Sequence, residues 1–180
     1  MTSDTNRRAA LAMAAASILS PEASAKDALV AAPSCESGEY RQFDFWIGTW
    51  AVTEAGQPAG HNTIEADLKG CALFESWTSV DGGRGRSVNY YDRTRKRWHQ
   101  SWIDDRGGAL ELDGGLGEHG MMLEGTRLDP ATGAQARQRI TWTPQPDGSV
   151  RQHWQTLPPG QSVWQDVFDG LYQRSGSSAR

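Results

Sequence analysis

From residue 42 onward, short apolar runs alternate with glycine-rich turns, and no long segment keeps a helical period. The runs recur about every 12 residues, which is typical of the strands of a sandwich or barrel. The pattern therefore predicts an all-β domain of about ten strands. The predicted strands span residues 46–54, 60–68, 71–80, 85–94, 97–105, 108–113, 120–128, 136–144, 149–156 and 162–173.

The turns between these runs carry residues that tolerate a positive φ. They are Asp81-Gly82, Asp113-Gly114, Asp147-Gly148, Asp169-Gly170 and Asp129-Pro130-Ala131-Thr132-Gly133. Because the connections are short, successive strands should pair antiparallel as a meander. An open sheet of this size would expose two edges, so we predict closure into a β-barrel. We expect a short helical plug at 36–45.

Composition excludes several classes of protein. The formal net charge of −4 argues against a nucleic-acid binder, which normally has a basic patch. No apolar run reaches the roughly 18 residues that a membrane-spanning helix needs. Two cysteines are too few for a disulfide scaffold or a four-thiolate zinc site.

The first 25 residues have the order of a secretory signal. Arg7 and Arg8 precede the apolar run 9–19, and Ala23-Ser24-Ala25 resembles a cleavage site. The arginine pair leaves both the general secretory and the twin-arginine routes open. We predict a signal peptide at 1–25, an N-terminal extension at 26–41, a barrel at 42–174 and a flexible tail at 175–180, in a periplasmic or secreted protein.

Export also affects how the two cysteines are interpreted. In an oxidising compartment, Cys35 and Cys71 could form one disulfide that ties the mature N-terminus to the domain. Two independent thiols are the alternative.

The block Phe43-Asp44-Phe45-Trp46-Ile47-Gly48-Thr49-Trp50 opens the predicted barrel. It resembles the start of an uncharacterised family of exported bacterial proteins, and the similarity covers roughly residues 35–174. Other parts of the chain share it: Gly70-Cys71, Glu75-x-Trp77, Ser87-x-Asn89-x-Tyr91-Asp92, Trp98-x-Gln100-x-Trp102 and Phe168-Asp169-Gly170-x-Tyr172.

More remotely, Gly48-x-Trp50 is similar to the calycin pattern of lipocalins, fatty-acid-binding proteins and nitrobindins. In calycins this tryptophan closes the barrel end, and an arginine after the last strand packs over it. The resemblance implies that Arg174 lies over Trp50, where a cation–π contact is worth about 0.5–2 kcal/mol. Both residues would then be structural.

Strand periodicity predicts which side chains face the interior. Tryptophans and polar residues alternate on the predicted inner faces, whereas arginines and histidines occupy the outer faces. The predicted inner set is Glu75, Trp77, Asn89, Tyr91, Gln100, Trp102, Gln152 and Trp154. An unpaired carboxylate is costly in a dry core, so this set favours a cavity for a small ligand. Polar side chains at strand ends that bond only to the backbone are the alternative.

We predict a small-molecule carrier that binds an aromatic or lipidic ligand through Trp77, Asn89, Gln100, Trp102, Gln152 and Trp154. The first alternative is a cofactor-independent lyase, isomerase or cyclase, with Glu75 as general base and Tyr91 as acid or hydrogen-bond donor. A structural envelope protein with a filled barrel is the second. The ligand and the oligomeric state do not follow from the sequence.

No metal or cofactor is expected. His61, His99, His119 and His153 lack metal-ligand spacing, and those on strands fall on outer faces, which argues against haem. Neither a nucleophile elbow nor a phosphate-binding lysine loop is present.

Overall fold

The computed structural model describes residues 34–36, 38–129 and 132–176, and its main elements are ten strands. Two short 3-10 helices, Gly38–Arg41 and Asp44–Trp46, precede the first strand, and a third, Leu68–Gly70, joins the second to the third. The strands are β1 (Gly48–Glu54), β2 (Gln57–Asp67), β3 (Ala72–Ser79), β4 (Arg84–Asp92), β5 (Arg97–Asp104), β6 (Ala109–Gly117), β7 (Gly120–Leu128), β8 (Gln135–Pro144), β9 (Val150–Leu157) and β10 (Gln165–Arg174).

Each strand pairs antiparallel with its neighbours in sequence, and β1 also pairs with β10, which closes the barrel. The predicted ten-strand meander is therefore confirmed. The helical segment predicted at 36–45 is also present, as the two 3-10 helices before β1. Register irregularities interrupt β1 between Val52 and Thr53, and β10 between Asp166 and Phe168.

Two of the predicted Asp-Gly turns are wrong. Gly82 and Gly148 have positive φ in tight turns, but Gly114 lies inside β6 and Gly170 inside β10. Both of the latter glycines provide space. A Cβ at Gly114 would clash with the main chain of β7, and one at Gly170 would clash with the Phe168 ring. The chain therefore reverses after Gly117, not at residue 113.

Aromatic packing fills one end of the barrel, where β1 begins and β10 ends. Phe43 stacks on Trp46 with ring centroids 4.9 Å apart. It also packs edge-on against Trp98 and Trp142, with ring centroids 5.6 Å and 5.1 Å away. All four side chains are buried. We call this half the closed end, because these rings belong to the buried core that occupies the interior between the strands there.

Arg174 covers Trp50 at the same end. Its guanidinium carbon lies 4.5 Å from the centroid of the Trp50 ring, and Nη1 donates a hydrogen bond to the Ile47 carbonyl at 3.2 Å. The Trp50 indole N–H donates to the Trp46 carbonyl at 2.9 Å. Arg174 and Trp50 thus pack against each other in the way that the calycin resemblance implies.

Cys35 and Cys71 form a disulfide, with Cα atoms 4.9 Å apart, which confirms the predicted pair. The bridge ties the segment before the first 3-10 helix to the start of β3. The described residues all belong to one compact unit. The predicted signal peptide lies outside the described residues, as do residues 177–180 of the predicted tail. Among the described residues, none of the helices has the length and apolar character that a membrane-spanning helix requires.

Candidate functional site

The other half of the barrel, which we call the open end, contains a cavity of about 230 Å³. Apolar and aromatic side chains make up most of its wall, and one carboxyl group, one phenol and two amides interrupt them. The lining residues are Glu75, Trp77, Gln100, Trp102, Leu110, Ile140, Gln152, Trp154, Val167, Phe168 and Tyr172. An apolar cavity of about 150 Å³ holds benzene, so this cavity has room for a molecule of one to two rings.

Glycines keep the aromatic rings against the wall and so leave the lumen open. The Trp102 ring lies over Gly85 on the adjacent strand, and the Trp77 ring lies over Gly60. A Cβ at Gly85 would clash with the Trp102 ring, and one at Gly60 would lie 2.6 Å from Cη2 of Trp77. The absence of these Cβ atoms is therefore what allows large rings and an empty space to coexist inside one barrel.

Glu75 lies on the cavity wall in the middle of β3 and is only 4% exposed. Its Oε1 accepts a hydrogen bond from Asn62 Nδ2 on β2 at 2.7 Å, and its Oε2 accepts one from Ser87 Oγ on β4 at 2.6 Å. Antiparallel register causes this convergence, since Ser87 lies directly opposite Glu75 and Asn62 is diagonal to it.

A relay of amides fixes the direction of these hydrogen bonds. Gln100 Nε2 donates to Asn89 Oδ1 at 2.8 Å, and Asn89 Nδ2 donates to Ser87 Oγ at 2.8 Å. Because the Ser87 oxygen already accepts from Asn89, its proton points to Glu75. Both carboxylate oxygens therefore accept hydrogen bonds, the pattern that an ionised carboxylate requires.

Burial opposes this ionisation and raises the pKa of Glu75 from 4.5 to about 7, although Ser87, Asn62 and the charge of Arg86 act in the lowering direction. Arg86 does not form an ion pair with it. The Arg86 guanidinium instead donates to the carbonyls of Gly85 at 2.8 Å and Trp77 at 3.3 Å. In the described part of the chain, Glu75 has no salt-bridge partner.

Tyr172 of β10 lies beside this network. Its hydroxyl donates to Gln152 Oε1 and is 3.4 Å from Asn62 Nδ2, the same amide nitrogen that contacts Glu75. Burial and the nearby Glu75 raise the pKa of Tyr172 well above its usual value of 10. Tyr172 is consequently a neutral phenol, and Glu75 is the acidic group of the cavity that titrates near neutral pH.

The cavity contains six of the eight side chains predicted for the inner faces. They are Glu75, Trp77, Gln100, Trp102, Gln152 and Trp154. Asn89 is fully buried behind the wall, where it connects Gln100 to Ser87 and so positions the site without lining it. A direct ligand contact for Asn89 is therefore not supported.

Tyr91, predicted as the acid or hydrogen-bond donor of an enzyme site, does not line the cavity. Tyr91 has the predicted parity, but it lies near the end of β4, at the closed end of the barrel. Its ring packs edge-on against Tyr40 at 5.4 Å and Trp98 at 6.3 Å. Parity gives the face of a strand and not the depth along it, which is why Tyr91 shares the predicted face of the cavity residues but lies at the closed end.

Sequence reasoning missed Asn62, Phe168 and Tyr172. The sequence did indicate that Phe168 and Tyr172 face the interior. Arg174 was expected to pack over Trp50, and residues 168, 170 and 172 lie on the same face of the last strand as Arg174. Asn62 is diagonal to Glu75 only through the β2–β3 register.

The four histidines lie away from the cavity. His99 contacts Glu111 and Asp113 on the outer surface, and His153 contacts Asp166 there. Within the described ranges, no group of three or more His, Cys, Asp or Glu side chains is placed to hold a metal ion.

Neither a protein-family model nor a curated protein matches this chain.

Proposed function

We propose that this protein binds a small organic molecule in the cavity at the open end of the barrel. The observation that carries the proposal is the unequal filling of one barrel. Aromatic rings pack the closed end, whereas the open end holds a cavity of about 230 Å³ with an aromatic wall and a buried polar network. Small-molecule sites characteristically combine apolar walls with a few oriented polar groups.

The polar groups suit recognition because they are already held in place. Gln100 donates through Nε2 to Asn89, so the side-chain carbonyl oxygen of Gln100 is left to accept a hydrogen bond from a ligand. Gln152 accepts through Oε1 from Tyr172, so the amide N–H groups of Gln152 are left to donate. A ligand would meet one acceptor, one donor and one carboxyl group without reorganising the wall. Preorganisation of this kind reduces the entropic cost of binding.

The proposal is tested by measuring the affinity for the uncharged probe 2-(1-naphthyl)ethanol by titration calorimetry. Trp102→Ala should weaken binding about tenfold because it removes one aromatic wall. Phe74→Ala is the matched control, since Phe74 lies on the outward face of β3 and is 41% exposed. Equal affinities of both variants and the unaltered protein would argue against the cavity as the site.

Catalysis is the second candidate, and the environment of Glu75 favours it. A carboxyl group with a pKa of about 7 in a cavity can accept or return a proton near neutral pH. Tyr172 replaces Tyr91 as the neutral phenol of such a site. Glu75→Gln separates the candidates. A carrier of an uncharged ligand should keep its affinity within about tenfold, whereas an enzyme should lose about 10²–10⁴ in rate.

We also propose that the protein is exported and that its barrel is calycin-like. The disulfide between Cys35 and Cys71 supports export, because such bonds persist mainly in oxidising compartments. The packing of Arg174 on Trp50 supports the calycin resemblance. N-terminal sequencing of protein recovered from its host should begin at Lys26. A sequence that begins at residue 1 or 2 would contradict export by a cleaved signal.

A further inference from the structure

The cavity holds a carboxyl group that forms no ion pair with any cation of the described protein. Glu75 is buried, and both of its oxygens accept hydrogen bonds. In the described part of the chain the charge of Arg86 acts on it, but the Arg86 guanidinium donates to main-chain carbonyls. Buried carboxylates are ordinarily paired with a cation. The relay from Gln100 through Asn89 to Ser87 delivers one donor to Glu75, and Asn62 supplies a second. Both donors stabilise the ionised form, which is the form that a positive ligand would pair with.

The aromatic wall fits the same partner. Elsewhere in the described chain, indole rings carry arginines: Arg174 lies over Trp50, and Arg139 lies 4.3 Å from the centroid of Trp164. The rings of Trp77, Trp102 and Trp154 have no such cation among the described residues. Among aromatic side chains, tryptophan attracts cations most strongly to the face of its ring. Several such rings together form the aromatic cages that bind ammonium groups.

Resting on the proposed function, we infer that the ligand is an organic cation, an arylalkyl ammonium ion whose nitrogen pairs with Glu75 and whose ring lies among the cavity tryptophans. An ammonium group carries only donors, and it would meet the Glu75 carboxylate and the Gln100 carbonyl oxygen, which are acceptors. None of the cavity-lining side chains is basic, so a carboxylate or phosphate ligand would lack a counter-charge. The net charge of −4 also attracts cations.

Two probes of the same shape test this inference: 2-(1-naphthyl)ethylammonium and the uncharged 2-(1-naphthyl)ethanol. Calorimetry at pH 8 should show that the ammonium ion binds about 10- to 100-fold more tightly than the alcohol, as expected for a hydrogen bond to a charged group. Glu75→Gln should remove this preference and leave the affinity for the alcohol nearly unchanged. Glu65→Gln is the control, because it removes the same charge from an exposed position on the neighbouring strand β2.

The pH dependence provides a second readout that needs no variant. The groups packed against Glu75 are Asn62 of β2, Ser87 of β4 and Tyr172 of β10, and Arg86 acts from the outer face of β4. The pKa of Glu75, about 7, lies between pH 5 and pH 8, so this group gains a negative charge across that range. Affinity for the ammonium ion should therefore fall as the pH is lowered, approaching tenfold per pH unit below about 7, whereas affinity for the alcohol should change little.

The possible results separate this inference from the proposed function. Equal or tighter binding of the alcohol would overturn the cationic ligand but support the cavity as a binding site. Failure of both probes to bind would count against both proposals. Retention of the ammonium preference in Glu75→Gln would overturn the pairing with Glu75. If that variant does not fold, a pH-independent affinity of the unaltered protein for the ammonium ion would overturn it instead.

Discussion

Replacing Glu75 with glutamine should change how the stability of the barrel depends on pH. The folded protein holds the Glu75 proton up to a pKa of about 7, whereas the unfolded chain releases it near 4.5. Between these values the folded state binds the extra proton, so the free energy of unfolding decreases as the pH rises. The contribution is fully present below about pH 4.5 and is lost once the pH has passed 7.

The magnitude follows from the interval between the two pKa values. One pH unit corresponds to about 1.4 kcal/mol, so the unaltered protein should lose about 3 kcal/mol of stability from this group between pH 4.5 and pH 8. Glu75→Gln cannot titrate and should not show this loss. Groups such as Asp92, whose pKa is lowered to about 2 by Arg95, titrate below this range and cancel when the proteins are compared.

Urea unfolding at several pH values between 4.5 and 8.5, with the disulfide intact, measures this difference. The difference in unfolding free energy between Glu75→Gln and the unaltered protein should shift by about 3 kcal/mol in favour of the variant as the pH increases. Comparing pH trends removes the constant cost of the new amide between Asn62 and Ser87. Glu65→Gln should follow the unaltered protein. Parallel curves for all three proteins would refute the burial argument for Glu75.

Two further sets of substitutions, one at the disulfide and one at glycines of the barrel, test the fold and the cavity. Replacing Cys35 and Cys71 with serine should lower the free energy of unfolding by about 3–4 kcal/mol in the chain-entropy model, because the bridge closes a loop of 36 residues. Urea unfolding measures the loss, and two free thiols in the unreduced native protein would contradict the bridge. Gly85→Ala should push the Trp102 ring into the cavity and reduce naphthylethanol binding at least tenfold in calorimetry. Gly115→Ala, where an added Cβ meets open space, should bind normally, and equal affinities would contradict this packing.

The fold was predictable because local signals and closure agree. Apolar runs, turn glycines and short connections specify an antiparallel meander. Closure into a barrel then pairs the backbone N–H and C=O groups that the two edge strands of an open sheet would leave free. The predicted strands match the observed ones within a few residues, except where glycines fill a second role. Gly114 and Gly170 are small because a strand or a ring approaches closely, and composition does not distinguish that role from a turn.

The candidate site was predictable only in part. Alternation along the strands places Glu75, Trp77 and Trp102 inside, which needs no tertiary information. Depth along the barrel depends on register between strands, and this decides that Tyr91 lies at the closed end while Tyr172 reaches the Glu75 network. How far the aromatic packing of the closed end extends along the barrel also depends on tertiary structure, and this determines how much of the barrel remains open.

The indole N–H resonances of the eight tryptophans give the most direct test of a ligand site inside the open end. During titration with 2-(1-naphthyl)ethylammonium and 2-(1-naphthyl)ethanol, the signals of Trp77, Trp102 and Trp154 should shift, because these rings line the cavity. Those of Trp46, Trp50, Trp98, Trp142 and Trp164 should stay in place, because these rings belong to the closed end or the outer surface. Unchanged cavity signals, or shifts centred on the closed end or on Trp164, would contradict the account.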